Sequence, residues 1–387
     1  MPIRHSIPCD ATANVPERLG SEQRATGRSR RLASPLFAGA LLGRRPGKTR
    51  RHHLPPDLHM DLRAGVRADV QTGAHGVMTT SALRPSRLPE LDLRTPTSLE
   101  ELTGSLAAGW RACGGGTDVL IEALQAGEPT HLVSTTGVHE LAKLTCDAGG
   151  ISIGGSVVLA RLVRSTSFRS GAAAVADGAQ TIGSIQLRNQ ATLVGNLCSA
   201  SPAADTIPGL FVHDARVETV DSSGMTRSTA VSEFLHGPGS TSLHDDEVVA
   251  AVRLTPSSPG TGSAYRRFTE RNALDLAFAG VAASVALEAD GVTIRSVRLA
   301  LGAVGPTVMD ASEVTATLIG RTADTELLAS VAEAAAGACS PITDHRCSAD
   351  YRRQLVHVLT LEVIDEAMRR AGRDDNSDPR VQQGKQR

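Results

Sequence analysis

Two stretches decide the fold of this 387-residue chain, and both combine glycine with small polar residues. The first is Ala112-Cys113-Gly114-Gly115-Gly116-Thr117-Asp118-Val119. The second begins at Ile182, passes through Thr192-Leu193-Val194-Gly195-Asn196 and ends at Asp205. Glycine allows positive φ and lets the backbone approach a ligand closely. We therefore expect both stretches to face a bound polar molecule.

The first stretch lies between a predicted short strand, residues 110–113, and a predicted helix, residues 119–125. Free N–H groups at the start of a helix suit a phosphate or pyrophosphate. Two common phosphate-binding motifs do not match: G-x-G-x-x-G fails at Val119, and no Gly-Lys-Ser/Thr follows the glycines. A tight turn without a ligand is the alternative for this stretch taken alone.

The second stretch is dense in Gly, Asn, Ser, Thr and Pro but also contains Ile, Leu and Val. This mixture is typical of a partly buried loop whose backbone donors face a polar ligand. The Asp205 carboxylate could accept hydrogen bonds from ligand hydroxyls or from the amide edge of a ring. By residue type alone, Asp205 is more often a turn residue or a helix N-cap, so both interpretations stay open.

Composition argues against several function classes. The formal net charge is −1, which gives no general attraction to nucleic acid or membranes, and aromatic residues make up only 2% of the chain, too few for a base-stacking surface. No apolar run approaches the roughly 20 residues of a membrane-spanning helix. No two of the six cysteines have CxxC spacing, which argues against an iron–sulfur cluster or a zinc site in this chain. The same spacing gives no disulfide framework, which favours the reducing cytoplasm.

Residues 1–77 are rich in Arg, Gly, Pro and His and lack helix or strand periodicity, which predicts a disordered extension. Twin arginines before the mildly apolar residues 32–42 raise export as a second interpretation, although they lie far from the N-terminus. A third interpretation is that translation starts at Met60 or Met78. The polar residues 373–387 predict a disordered tail.

The rest of the chain alternates between helix and strand patterns. Residues 82–256 predict a first α/β or α+β domain, with a short strand over residues 141–144. Breaker residues at 255–262 predict a linker. Residues 262–372 then predict a small α+β domain. It begins with a hairpin of strands 278–288 and 293–303, and two amphipathic helices follow at residues 325–338 and 351–370.

Several motifs occur in a fixed order: the glycine loop, Ile-Gly-Ser-Ile-Gln-Leu-Arg-Asn from residue 182, Thr-Leu-Val-Gly-Asn from 192 and Ser-Pro-Ala-Ala-Asp from 201. Their order and spacing resemble the flavoprotein subunit of carbon monoxide dehydrogenase and the FAD domain of the xanthine dehydrogenase family. Further matching segments lie at residues 265–268, 273–277, 301–307 and 346–353. The resemblance covers roughly residues 80–371 and implies an α+β protein, with a two-part α/β FAD-binding domain of the PCMH, vanillyl-alcohol-oxidase-like type and a small C-terminal α+β domain with an antiparallel sheet.

The resemblance also implies an FAD site. Residues 112–119 and 192–196 correspond to two pyrophosphate-binding loops, Asp205 to an FAD-contacting aspartate, and Ile182 to an apolar position beside the cofactor. Arg266 lies where relatives have a Lys or Arg near the flavin. One position departs from the family pattern, because Val194 replaces the first glycine of the second loop. If that glycine needs positive φ or close approach to phosphate, valine costs about 1–3 kcal/mol there.

The resemblance further implies a division of labour among subunits. A large molybdopterin-binding subunit hydroxylates the substrate, a small subunit carries [2Fe-2S] clusters, and the FAD subunit passes electrons to an external acceptor. The partners then form a hetero-oligomer, with a dimer of heterotrimers as one arrangement. No catalytic acid or base and no metal ligand is predicted in this chain, and His213-Asp214 and His244-Asp245-Asp246 are predicted to lie on the surface. A self-contained FAD-dependent oxidase and an FAD-free scaffold subunit are the alternatives.

Overall fold

The computed structural model describes residues 90–255 and 257–372. The predictions for residues 1–77 and 373–387, including the alternative starts at Met60 and Met78, lie outside the described residues. The described chain forms an N-terminal region, residues 90–254, and a C-terminal region, residues 261–372. No helix in these residues is both long and apolar enough to span a bilayer.

The N-terminal region alternates short strands and helices. Its strands are β1 (Leu91–Arg94), β2 (Arg111–Cys113), β3 (Thr130–Ser134), β4 (Leu144–Asp147), β5 (Gly150–Gly154), β6 (Arg216–Val220), β7 (Thr226–Ala230), β8 (Leu235–Gly237), β9 (Ser240–Thr241) and β10 (Val248–Leu254). Its helices are α1 (Leu99–Ala107), α2 (Val119–Ala126), α3 (Leu159–Arg164), α4 (Thr166–Gly171), α5 (Ala173–Thr181), α6 (Ile185–Arg188), α7 (Leu193–Cys198), α8 (Ile207–Val212) and α9 (Val231–Phe234).

The first part of this region is a parallel three-stranded sheet in the order β1-β3-β2. Parallel neighbours need crossover connections, and α2 supplies the one between the neighbouring strands β2 and β3. The Ser98 side chain caps α1 by accepting from the Glu101 N–H at 3.2 Å, and the Glu101 carboxylate accepts from the Thr97 N–H. Leu102 and Leu106 of α1 are buried in one small hydrophobic cluster, which also contains Val248 of β10. This cluster therefore joins the first part to the second.

The second part is a five-stranded antiparallel sheet in the order β4-β5-β10-β6-β7. Most of its helices bury their apolar side chains in the largest core cluster, which includes Phe168, Leu193 and Leu210. The same cluster contains Tyr265 and Ala282 of the C-terminal region. The two regions thus share one continuous core, and their relative position is set by close packing.

Two local predictions for the N-terminal region are wrong. The strand predicted over residues 141–144 is not formed, because His139–Ala142 is a 3-10 helix and β4 begins at Leu144. The second glycine-containing stretch, predicted as a loop, contains α6 and α7. Each of these short helices starts at a side-chain cap, which stabilises a single turn without any periodic apolar pattern.

The C-terminal region confirms the predicted hairpin and the predicted pair of helices. It contains β11 (Thr261–Phe268), β12 (Ala279–Leu287), β13 (Ile294–Gly302), β14 (Met309–Asp310), a 3-10 helix (Ser312–Leu318), α10 (Thr325–Ala338) and α11 (Ala349–Ala371). The four strands form an antiparallel sheet in chain order. Gly291 has φ +72° in the β12–β13 turn, a conformation that favours glycine. The predicted α+β class with an antiparallel C-terminal sheet is confirmed.

Candidate functional site

A cavity of about 790 Å³ opens in the N-terminal region, and both glycine-containing stretches line it. The first stretch contributes Ala112, Gly114, Gly115, Gly116, Thr117, Asp118 and Val119. The second contributes Ile182, Thr192, Val194, Gly195 and Asn196. Two segments far apart in sequence therefore meet around one space, as expected for two stretches that face a common ligand.

The first stretch connects β2 directly to α2. Gly116 has φ +71°, so this position needs glycine for its backbone conformation. Asp118 stands at the N-cap of α2, but its carboxylate makes no capping hydrogen bond there. Burial raises the pKa of Asp118, and the nearby Glu122 carboxylate raises it further. The side chain that closes this loop therefore holds its proton more tightly than an ordinary aspartate.

Gly114 and Gly115 are required for a different reason, because here the two stretches touch each other. A Cβ atom at Gly115 would lie 2.1 Å from the backbone oxygen of Gln190, and one at Gly114 would lie 3.0 Å from Oγ1 of Thr192. The Gln190 contact is between two backbones, so no side-chain rotation could relieve it. The shape of the cavity therefore depends on glycine at residue 115.

The second stretch is anchored at both ends of the segment that lines the cavity. The Leu159 N–H donates to the Ala191 oxygen at 2.9 Å, and the Leu193 N–H donates to the Val157 oxygen at 3.2 Å. The Thr192 hydroxyl accepts from the Gly195 N–H at 2.9 Å and so starts α7. The Asn196 side-chain oxygen accepts a 2.6 Å hydrogen bond from the Thr206 hydroxyl. This part of the cavity wall is therefore held by residues that precede it in the chain and by Thr206, which follows it.

Val194 lies inside α7 with helical backbone, and it is not among the non-glycine residues with positive φ. Its side chain is 9% exposed, belongs to the main core cluster and lines the cavity. The conformational penalty expected for valine at a positive-φ position therefore does not arise. What valine changes here is the shape of the cavity wall.

Four of the predicted site residues do not line the cavity. Cys113 and Leu193 are buried beneath the two stretches, with exposed fractions of 7% and 0%. Asp205 is buried, and Arg266 is exposed on β11. Burial raises the pKa of the Cys113 thiol, with Arg111 acting in the opposite direction, so this cysteine is disfavoured as a thiolate.

Asp205 takes part in a buried polar network between the two regions. Its Oδ1 accepts from the Tyr265 hydroxyl at 2.6 Å, and its Oδ2 accepts from Arg267 Nη1 at 2.6 Å. Burial raises the pKa of the Asp205 carboxyl, while the positive charge of Arg267 and both hydrogen bonds favour the carboxylate. Burial and the neighbouring carboxylate raise the pKa of Tyr265 well above its ordinary value, so its hydroxyl is a stable donor.

The basic residue that reaches this network is Arg267, whereas sequence matching selected Arg266. Both lie on β11, where successive side chains point to opposite faces of the sheet. Tyr265 is buried, so Arg267 shares its face and Arg266 points away. The alternation of a strand around the buried tyrosine was the signal that could have identified Arg267.

Sequence reasoning also missed a third wall of the cavity. This wall includes Gly239 and Thr241 near the β8–β9 hairpin, and His244, Asp245 and Glu247 before β10. These residues form no recognisable motif, and only the pairing of β10 with β5 and β6 brings them to the site. The Glu247 carboxylate already has partners within the protein: it forms an ion pair with Arg227 at 2.6 Å and accepts a hydrogen bond from the His244 N–H at 2.9 Å.

Comparison with known proteins assigns the family. Residues 89–257 match the FAD binding domain in molybdopterin dehydrogenase, and residues 263–367 match the CO dehydrogenase flavoprotein C-terminal domain. The nicotine 6-hydroxylase medium subunit of Paenarthrobacter nicotinovorans is 30% identical over 287 residues, 73% of this chain and 98% of that protein. The chain belongs to this family of FAD-binding subunits. Its members are parts of oxidoreductases.

Other members of the family show the same extent of similarity. The carbon monoxide dehydrogenase medium chain of Hydrogenophaga pseudoflava is 27% identical, over 73% of this chain and 98% of that one. A solved carbon monoxide dehydrogenase from the same organism superposes with a TM-score of 0.68 at 26% identity, covering 73% of this chain and 98% of that chain. Quinoline 2-oxidoreductase from Pseudomonas putida 86 also gives 0.68 at 26% identity, covering 74% and 100%.

The cavity fits the cofactor that the family binds. Its volume of about 790 Å³ lies within the range of small-molecule and cofactor sites. Gly114, Gly115 and Gly116 leave backbone without side chains on one wall, and Thr192 and Asn196 place polar groups on the other. Glycine-bordered backbone and small polar side chains are the groups that accommodate a diphosphate. No group of three or more His, Cys, Asp or Glu side chains in the described residues could hold a metal ion.

Proposed function

We propose that this chain is the electron-transfer subunit of a three-part molybdenum hydroxylase. The chemistry that bound FAD supplies is electron relay from a [2Fe-2S] partner subunit to an external acceptor. The observation that carries the proposal is the meeting of residues 112–119 and 192–196 around one cavity in a chain of the FAD-binding family. Substrate hydroxylation belongs to a molybdopterin-binding large subunit in this proposal.

The relatives support the subunit composition. One structurally similar carbon monoxide dehydrogenase is described as lacking the Mo-pyranopterin moiety of the molybdenum cofactor, and the similar proteins of known sequence are called medium chains or subunits. We therefore expect this chain to bind a large molybdopterin subunit and a small iron–sulfur subunit in a hetero-oligomer, in one arrangement a dimer of heterotrimers. A cytoplasmic location is part of the proposal and rests on the cysteine spacing.

The proposed FAD site consists of the residues from both stretches that line the cavity, with Cys113 and Leu193 supporting them from below. Asp205 and Arg266 remain in the proposed site only as residues that contact FAD once it is bound. We further propose that the FAD-binding domain spans residues 82–256 and the C-terminal domain residues 262–372. In this arrangement the protein binds and orients the cofactor, and no side chain of the chain acts as acid or base.

Purification of the tagged full-length chain from its native host tests the proposal. The expected result is a yellow complex with a flavin absorption band near 450 nm, two co-purifying subunits, and FAD, iron and molybdenum in fixed ratio to the chain. A colourless chain that stays colourless after incubation with FAD would support a scaffold instead. A chain that purifies alone with FAD and oxidises small alcohols would support a self-contained oxidase.

A further inference from the structure

The contact between the two regions follows helix α5, which ends at the cavity. Near its start, the Ala174 N–H donates to the Ser263 hydroxyl at 3.0 Å. In its middle, Asp177 pairs with Arg370 at 2.7 Å. At its last residue, the Thr181 oxygen accepts from Arg267 Nη2 at 2.9 Å. The C-terminal region therefore holds α5 at three successive points, and the third lies next to a cavity-lining residue.

Arg267 joins three acceptors that come from separate segments of the chain. Its Nη1 donates to Asp205 at 2.6 Å and to the Asp275 oxygen at 3.1 Å, while its Nη2 reaches Thr181. The side chains of Arg267 and Asp205 are each only 6% exposed. A planar guanidinium can satisfy several acceptors at once in fixed geometry, which a lysine cannot.

Two of these acceptors connect to cavity-lining residues of the second stretch, Ile182 and Asn196. Thr181 precedes Ile182, which lines the cavity, and the Ile182 oxygen is itself held by Arg188 at 2.8 Å. Asp205 precedes Thr206, whose hydroxyl holds the cavity-lining Asn196. One guanidinium from the C-terminal region thus connects to two separate cavity-lining positions of the second stretch through short contacts.

We propose that Arg267 is a positioning residue for the flavin site. It sets the position of Ile182 through the Thr181 carbonyl and the position of Asn196 through Asp205 and Thr206. This inference rests on the proposed function, because the relative position of Ile182 and Asn196 matters only when FAD occupies the cavity that they line. Cofactor binding is then coupled to the seating of the C-terminal region on the N-terminal one, although the cavity is lined by the N-terminal region alone.

The test compares two double variants of the full chain, each purified with its co-purifying subunits. Arg267→Met/Asp205→Asn removes the buried pair without leaving a lone buried charge, which would otherwise prevent folding. Arg370→Met/Asp177→Asn is the matched control, since it removes an ion pair between the same two regions on the same helix, one turn from Thr181. Urea unfolding establishes that both are folded. The measurements are the FAD dissociation constant, the visible circular dichroism of bound flavin and its midpoint potential.

We expect Arg267→Met/Asp205→Asn to weaken FAD binding about tenfold or more and to change the flavin dichroism and potential. The control should bind FAD within about twofold of the wild type with an unchanged spectrum. Arg267→Lys should restore the charge but only part of the affinity, because an ammonium lacks the planar fork that reaches Asp205 and the Thr181 oxygen together.

Three results would overturn the inference while leaving the proposed function intact. These are wild-type FAD affinity and spectrum in the Arg267 double variant, equal losses in both double variants, and full rescue by lysine. A wild-type protein that binds no FAD would instead remove the proposed function, and the inference with it.

Discussion

The contact between the two glycine-containing stretches and the contact between the two regions are built on different principles. At the first, backbone meets backbone: Gly115 lies against Gln190 with no room for a single methyl group. At the second, buried polar groups meet: Asp205 with Arg267, Asp177 with Arg370, and His213 with Ser263. The first contact is therefore sensitive to added volume, and the second to lost or added charge.

The difference shows how a cavity wall can be built on glycine and still be rigid. The cavity wall uses glycine, which contributes little packing of its own. Support comes from helix α5, which the C-terminal region holds through hydrogen bonds at Ala174 and Thr181 and an ion pair at Asp177. Substitutions at the two contacts, and at two helical positions that serve as references, test this division.

Gly115→Ala should have the largest effect, because its Cβ would lie 2.1 Å from a backbone oxygen and the two stretches would have to separate. We expect a loss of about 3 kcal/mol of stability, since overpacking typically costs about 1–3 kcal/mol and occasionally more. FAD content of the purified protein should fall to near zero. Chemical unfolding and flavin absorbance measure the two effects, and retention of full FAD content would show that the two stretches do not define the site.

His213 tests the contact between the regions. The sequence predicts a surface position, but the residue is buried, with Nε2 2.9 Å from the Ser263 hydroxyl. Burial lowers its pKa from 6.5 to about 4, and Arg298 adds to the effect. The neutral form is thus favoured in the folded state, so its contribution is complete above pH 6.5 and is lost as pH falls toward 4. A shift of this size corresponds to about 3 kcal/mol.

The measurement is urea unfolding between pH 4 and 7. His213→Gln should flatten the fall in stability over that range, whereas substitution of the exposed His139 by Gln should leave the wild-type slope. The same slope in the wild type and in His213→Gln would contradict the assignment of this histidine as the group that titrates at the contact.

Val194→Gly introduces the glycine that the family resemblance implies at this position, and it should lower stability by about 2 kcal/mol. The loss combines removal of a buried side chain with the cost of glycine in a helix. Because Val194 has helical backbone, no strain is relieved. FAD affinity should rise only if the methyl groups of Val194 narrow the cavity. Calorimetric titration with FAD measures this affinity, and unfolding measures separately whether backbone strain is relieved. A gain in stability would contradict the helical assignment.

Gly104→Ala should have the smallest effect and the opposite sign. Gly104 lies inside α1 without positive φ, and among the described residues nothing comes within 4 Å of where an added Cβ would stand. Alanine should therefore stabilise the protein by about 0.5–1 kcal/mol and leave FAD content unchanged. Thermal unfolding measures this effect. Gly104→Ala also serves as the control for Gly115→Ala, because it is the same substitution at a position without a steric clash. Destabilisation here would show that glycine loss alone, without a steric clash, is harmful.

The sequence predicted elements best where a periodic pattern was long or a cap was clear. Helix α10 spans the predicted residues 325–338, and β12 and β13 each begin and end within one residue of the predicted hairpin strands. Prediction failed at α6 and α7, because helices of four and six residues carry no readable period and depend on a cap and on surrounding contacts. The prediction of a surface position for His213 also failed, because residue type does not show that the C-terminal region packs over the end of helix α8.

The sequence by itself determined the fold class, the family and the two stretches that line the cavity, because glycine and small polar residues are local requirements of backbone shape. Only the tertiary structure decided that Gly115 lies against Gln190, that Arg267 reaches Asp205 and Thr181, and that Val194 is unstrained. Those facts depend on which distant segments meet in space. Side-chain reach and burial are properties of the packed chain, and no single stretch of residues encodes them.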